Sequence, residues 1–401
     1  MTPRQTILLT MAVFALQPLA FGAWLALIPQ VKAELGLSKS ELAIALLGNP
    51  IAVIPGLQLA GRVLARFGPR RVLAVCFPLQ AVLILLPLFA VGQWSLFTAL
   101  AAYGIVMAHL QVSLNVYAGR LEKSLGVVVM NRCHGFWALG LMGGALAMAL
   151  LVGVPDVWRV FLISGLSGAA GVVVALRLPR LAGAEEGRAP PRRALRRLPA
   201  ALILISVFAL IIGMTEGAMA DWSAVYLAER WPEGAERAGI AVSIYAGCLA
   251  AGRFLGDAAK TSLGTVRLAR NAVLVAVLGL VLVIGPWPLW GAFVGFALVG
   301  LGASVGFPLA VSAVAALDDL YEGANIAVLS TIALTGFLIG PPTIGFLADA
   351  FGLRIGLGVL LPLLVLALWL ARWLAPVTGA VGAQNADSAR LPIGRLGARR
   401  G

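Results

Sequence analysis

Charge is what this sequence lacks. Only 12% of its 401 residues are Asp, Glu, Lys or Arg, where a soluble domain averages about a quarter. Cysteine occurs three times and histidine twice. Cys76, Cys133 and Cys248 all lie in apolar runs, with neither metal-ligand spacing nor the pattern of a disulfide scaffold. There is no phosphate-binding loop, no His-Glu-x-x-His helix and no nucleophile elbow. These absences argue against ATP-driven chemistry, a metal centre and a hydrolase. The expectation is a non-enzyme with no cofactor and no metal.

What is present is apolar length. Hydrophobic residues make up 61% of the chain and the mean hydropathy is +0.97. One water-soluble core cannot hide that much apolar surface. A membrane helix needs about 20 mostly apolar residues. Twelve runs qualify, at 6–29, 40–64, 72–92, 95–118, 128–152, 157–178, 200–227, 237–258, 266–285, 287–315, 324–349 and 353–375. The first is too long for a signal-peptide core and no small-residue cleavage site follows it, so it reads as a span. Pro18, Pro50, Pro55, Pro78, Pro87, Pro308, Pro341 and Pro342 fall inside spans, which a helical bundle tolerates when neighbours satisfy the freed backbone groups. The fold class is therefore an all-α membrane protein with twelve transmembrane helices.

The net charge of +13 suits membrane topology better than nucleic acid, because the basic residues sit in short gaps between apolar runs. With the N-terminus inside, all but six of the 30 Lys and Arg fall on the cytoplasmic side. The exceptions are Lys32, Lys39, Arg159, Arg230, Arg237 and Arg354. This predicts both termini in the cytoplasm. Residues 179–199 form a basic linker suited to anionic headgroups, with a soluble partner as the alternative. They divide a six-helix bundle at 1–178 from a second at 200–375, and 376–401 reads as a disordered cytoplasmic tail.

The halves are related by sequence. A shift of 196 residues pairs Gly56 with Gly252, Gly68 with Gly264, Arg71 with Arg267, Glu122 with Asp318, Gly140 with Gly336 and Gly144 with Gly340. Each pair falls at the same place in its half. Two pseudo-symmetric six-helix bundles with a site near the midplane describe an alternating-access transporter.

Between spans 2 and 3 the chain reads Gly61-Arg62-Val63-Leu64-Ala65-Arg66-Phe67-Gly68-Pro69-Arg70-Arg71. This resembles the loop motif of the major facilitator superfamily, G-x-L-x-D-R-x-G-x-R/K-R/K. The family's Asp is Ala65 here, so the usual charge cluster lacks one partner. The stretches Phe21-Gly22-Ala23-Trp24, Asn115 to Glu122, Asn131 to Gly140, Glu216 to Ser223 and Gly340 to Asp349 are similar to a bacterial inner-membrane branch of that superfamily. That branch includes the rhizopine-cluster membrane protein and is more distantly similar to fucose permeases. The resemblance implies the major facilitator fold, a monomer and a small-molecule solute.

An ionisable group at membrane depth is costly and marks a functional position by default. Glu216, in the middle of span 7, is the sharpest case, as a carrier of coupling protons or a contact for solute. A structural hydrogen bond is the bland alternative. Asp221 lies five residues on, about 140° around the helix, and divides between packing and solute contact. His134, Asn115, Gln17, Trp24 and Trp137 complete the candidate substrate or proton site; Gln17 and Trp24, seven residues apart, share nearly one face. Arg62, Arg66, Arg70, Arg71, Glu122, Arg132, Arg253, Asp257 and Asp318 are expected to form gating or structural charge clusters, with Arg253 and Asp257 paired at i, i+4. The resulting expectation is secondary active transport of a small polar solute across the bacterial inner membrane, with the proton as coupling ion. An exporter of amphipathic compounds and a non-transporting sensor on the same fold are the alternatives.

Overall fold

The computed structural model describes residues 2–181, 198–317 and 322–375. Asp318, most of the expected linker and the expected tail from 376 lie outside the described residues. Among those described there is no strand, and twelve helices have the length and apolar composition to cross a membrane. They are α1 (Pro3–Glu34), α2 (Lys39–Phe67), α3 (Pro69–Phe89), α4 (Gln93–Leu125), α5 (Met130–Leu150), α6 (Asp156–Arg177), α7 (Ala200–Arg230), α8 (Ala238–Leu263), α9 (Thr265–Ile284), α10 (Leu289–Ala315), α11 (Asn325–Phe351) and α12 (Leu353–Leu374). Several overrun the apolar stretch that announces them: α1, α4 and α8 carry polar turns at their ends.

Local chemistry sets the boundaries. Ser38 and Glu41 form a reciprocal capping box at the start of α2. Gly126 ends α4 in the left-handed region. Inside α1, Pro18 interrupts the helix between Leu16 and Leu19. Ser167 of α6 donates to the Leu16 carbonyl at 2.7 Å, and Gln80 of α3 donates to that of Gln17 at 2.6 Å. The kink is thus satisfied from neighbouring helices, as the bilayer requires. By contrast, α11 runs through Pro341 and Pro342 unbroken.

The repeat is visible in three dimensions. Gly68 and Gly264 turn the chain with φ of 75° and 76°. A Cβ on Gly140 would strike the Ala15 carbonyl of α1, and one on Gly336 would strike the Leu210 carbonyl of α7. Gly56 lets α2 approach α4 at Ala108, and Gly252 lets α8 approach α10 at Ser304. Small residues are what allow such close approach of helix backbones in lipid. Within each half the first helix packs on the fifth, the second on the fourth and the third on the sixth. Exposed Val75, Leu166, Leu255, Leu278 and Phe351 give the outside of the bundle a lipid-compatible surface.

Two seams join the halves. Along α5 and α8 contact is continuous: Asn131 meets Asp257, Phe136 meets Phe254, Met142 meets Gly247 and Ala145 meets Gly239. The seam between α2 and α11 is partial. α11 packs on Lys39–Leu46 but hardly touches Gly48–Phe67, and α4 packs within its own half. The halves are therefore sealed at the end of the bundle far from the chain termini and parted along α2 and α11 at the termini end.

Candidate functional site

Glu216 sits near the middle of α7 with little exposure, and Arg253 of α8 reaches it: Nη2 lies 3.3 Å from Oε2. The side chains are 13% and 14% exposed, so the pair neutralises two charges that would each be costly alone. Arg253 Nη1 also donates to the His134 carbonyl of α5 at 3.4 Å. One guanidinium thus links the carboxylate of the second half to the backbone of the first. Tyr245, eight residues before Arg253 on α8, has a buried hydroxyl with no partner among the described residues.

On the first-half side, His134 meets Phe14 edge to face, with centroids 5.6 Å apart. Gln17 is fully buried and spent on structure: Trp137 Nε1 donates to its Oε1 at 2.7 Å, and its Nε2 donates to Gln80 at 3.1 Å. Trp24 is buried too, so the shared face of Gln17 and Trp24 points into packing in this conformation. Asn115 is exposed on α4. Asp221 is half-buried and makes no hydrogen bond or ion pair among the described residues. Beside it Trp222 is buried, with its indole edge against Gly345 of α11 and its Nε1 unpaired. The contacts fall into two groups, Glu216 with Arg253 and the His134 carbonyl, and Gln17 with Trp137 and Gln80; Asn115 and Asp221 belong to neither.

The expected charge clusters do not assemble as ion pairs among the described residues. Arg253 does not pair with Asp257. The buried Glu216 claims it, while exposed Asp257 accepts from Asn131 Nδ2 of the opposite half at 2.8 Å. Glu122 caps α5 by accepting from the Val129 and Met130 amides at 2.6 and 2.8 Å. Arg66 lies over the Phe67 ring, and Arg70 donates to the Ala175 and Leu176 carbonyls. Arg62, Arg71 and Arg132 are exposed and make no ion pair among the described residues. Ala65 supplies no acceptor and Glu122 is engaged by two amides, while Asp318 lies outside the described residues.

The ion pairs that do join the halves lie at the far end, where sequence reasoning did not place them. Glu229 of α7 receives Lys32 at 3.1 Å and Lys39 at 3.3 Å. Asp349 at the end of α11 accepts from the Lys39 and Ser40 amides at 3.0 and 3.3 Å, and from the Ser40 hydroxyl. A carboxylate from one half thus caps the first turn of α2 in the other, where the helix dipole favours negative charge. A pocket of about 540 Å3 lies at this end, lined by Lys32, Ala33, Arg159, Glu229 and Glu236. The signal available in the sequence was the minority of basic residues on the wrong side of the topology rule. Two of those six, Lys32 and Lys39, are the ones that bridge the halves. Gln80, another polar residue inside a span, was likewise overlooked.

Comparison with known proteins follows the same architecture. Residues 9–317 match the family described as Major Facilitator Superfamily. The chain is 28% identical over 364 residues to an uncharacterised MFS-type transporter of Yersinia pestis, covering 89% of this chain and 92% of that one. It is 27% identical over 347 residues to membrane protein MosC of Rhizobium meliloti, covering 85% and 83%. In three dimensions it resembles the nucleoside transporter NupG, with a TM-score of 0.68 at 15% identity over 94% of this chain and all of that one. It also resembles a bacterial homologue of the human lysosomal transporter Spinster in an inward-facing, occupied conformation, with a TM-score of 0.66 at 16% identity over 93% and 97%. At such identities the structural matches speak to the fold alone.

Proposed function

Because the chain belongs to the major facilitator superfamily and is a multi-pass membrane transporter, we propose that it moves a small polar solute by proton-coupled alternating access. The bilayer is the bacterial inner membrane, both termini are cytoplasmic, and the working unit is the monomer. The termini end then faces the cytoplasm and the sealed end faces outward, so this conformation is open inward.

The Glu216–Arg253 pair carries the reading. It lies at membrane depth, one member contacts the opposite half, and it offers a two-state exchange. With Glu216 ionised, the pair is closed. Protonation removes the carboxylate charge and frees the guanidinium, a fork of fixed donors, for an acceptor on the solute. Deprotonation restores the pair and releases the solute. Tyr245, on the same helix as Arg253, has a buried hydroxyl with no partner among the described residues, and serves as a second solute contact. His134 and Trp137 form the first-half wall. Asn115 and Asp221 are assigned to the access paths, where an exposed amide and an unpaired carboxylate meet solute or water in transit.

The test has two steps. Purified protein is screened for thermal stabilisation by sugars, polyols, amines and organic acids at two pH values, since a ligand specific to the folded state raises apparent stability. A stabilising solute is then followed into proteoliposomes with a pH gradient. Glu216→Gln is expected to bind but to lose the dependence of uptake on the gradient, and Arg253→Gln to lose binding. Gradient-driven uptake that survives in Glu216→Gln would overturn the assignment. Stabilisation by amphipathic compounds alone would favour the exporter, and binding without movement would favour the sensor.

A further inference from the structure

At the termini end of the first half, away from both seams, a groove of about 880 Å3 opens between the ends of α2, α3, α4 and α6. Four arginines line it, Arg70, Arg71, Arg120 and Arg180, and among the described residues no carboxylate does. None of the four makes an ion pair among the described residues. Arg70 is fastened by donating to the Ala175 and Leu176 carbonyls at the end of α6. Tyr117 closes the floor by donating to the Pro179 carbonyl at 3.0 Å. The other arginines are left with open donors, and Arg71 and Arg180 are exposed.

Two further features concentrate positive potential here. Arg70 and Arg71 occupy the first turn of α3, which carries no acidic residue. Positive side chains at a positive helix end repel it, and an anion relieves both. Below the arginines the wall becomes apolar, with Phe67, Val75 and Leu176 about half exposed. The groove thus offers donors for a phosphate at the level where a span leaves the membrane, and an apolar wall leading into it.

We propose that this groove binds one anionic phospholipid, its phosphate held by Arg71, Arg120 and Arg180 and one acyl chain laid along Val75 and Leu176. Charge complementarity and the graded polarity select a lipid over a soluble anion. The site is independent of the Glu216–Arg253 reading, because it lies outside the interface between the halves.

Native mass spectrometry of the delipidated full chain in neutral detergent, titrated with phosphatidylglycerol or with phosphatidylcholine of the same chains, tests it. One phosphatidylglycerol is expected to be retained in preference to phosphatidylcholine. Arg71→Gln with Arg120→Gln should weaken that retention by about tenfold or more, from about 1 kcal/mol for each basic residue near an anionic headgroup. Arg267→Gln with Arg270→Gln, a solvent-exposed pair at the start of α9, should not. Equal retention of the two lipids, no loss in the groove variant, or equal loss in the α9 variant would overturn the proposal. So would displacement of the lipid by inorganic phosphate at matched concentration. Thermal unfolding without lipid checks that the variant is folded, and Arg71→Gln alone serves if the double variant is not.

Discussion

The two seams between the halves are built from different chemistry. Along α5 and α8 the contact is close backbone packing over small residues: Gly239 lies on the Ala145 carbonyl, Gly247 on Met142 and Gly135 on the Phe254 ring. Such packing in lipid has no ready substitute once lost. Between α2 and α11 the contact is held at the far end by Asp349 on the first turn of α2, and alongside it Glu229 of α7 binds two lysines. Water can replace each of those bonds when the end opens. Under the proposed alternating access, the difference suits the first seam to pivoting and the second to parting. It also explains why the charges joining the halves cluster at the sealed end.

The strongest way to break this comparison is to remove the freedom of each seam in turn. In a background with Cys76, Cys133 and Cys248 replaced, Ser40→Cys with Asp349→Cys, joined by oxidation or a short bis-thiol reagent, should abolish transport, and reduction should restore it. Met142→Cys with Gly247→Cys, joined likewise across α5 and α8, should leave most transport intact. A reversal of the two results would make α2 and α11 the pivot.

If the asymmetry lies in the seams and not in the halves, matched changes within each half should have matched effects. Gly68 and Gly264 share φ of 75° and 76° with ψ of 156° and 160°, a region nearly confined to glycine that costs a side chain about 1–3 kcal/mol. Gly68→Ala and Gly264→Ala should lower thermal stability by similar amounts, and unequal losses would show that the halves differ in rigidity. Asp349→Asn comes next. It keeps one hydrogen-bond acceptor, turns the other into a donor and loses the charge at the dipole, worth about 1 kcal/mol with the cap. The far end should open more often, read as faster alkylation by an impermeant maleimide of Val225→Cys, a buried position beside the pocket at that end. An unchanged rate would remove Asp349 from the seal.

Much of the fold was legible in the sequence, because apolar length and glycine spacing are local quantities that lipid reads directly. The 196-residue shift paired Gly140 with Gly336, and both meet the carbonyls of equivalent helices. The candidate site was legible only in part. Glu216 stands out by its depth, but its partner does not. Arg253 and Asp257 have ideal spacing for a helical pair, and the preference of a guanidinium for a buried carboxylate over an exposed one depends on tertiary position. Gln17 was misleading for the same reason. A glutamine in a span suits a cavity, and only the kink at Pro18 brings Gln80 and Trp137 to occupy it. Asp349 was hidden because its partners are backbone amides more than 300 residues away in the chain.

The smallest expected effect belongs to the most conspicuous contact. Glu229 holds both Lys32 and Lys39, but its side chain is 34% exposed and the lysines are 19% and 23% exposed. Ion pairs in such positions are worth about 0–1 kcal/mol, and salt screens them over about 10 Å at 0.1 M. Glu229→Gln should therefore speed alkylation of Val225→Cys less than Asp349→Asn does, and the gain should shrink as salt rises. The Asp349 effect should persist in salt, because amide donors at a helix end stay in place whatever the ionic strength. A Glu229 effect that is larger, or indifferent to salt, would place the seal's main strength in the lysine pair and make the cap on α2 secondary.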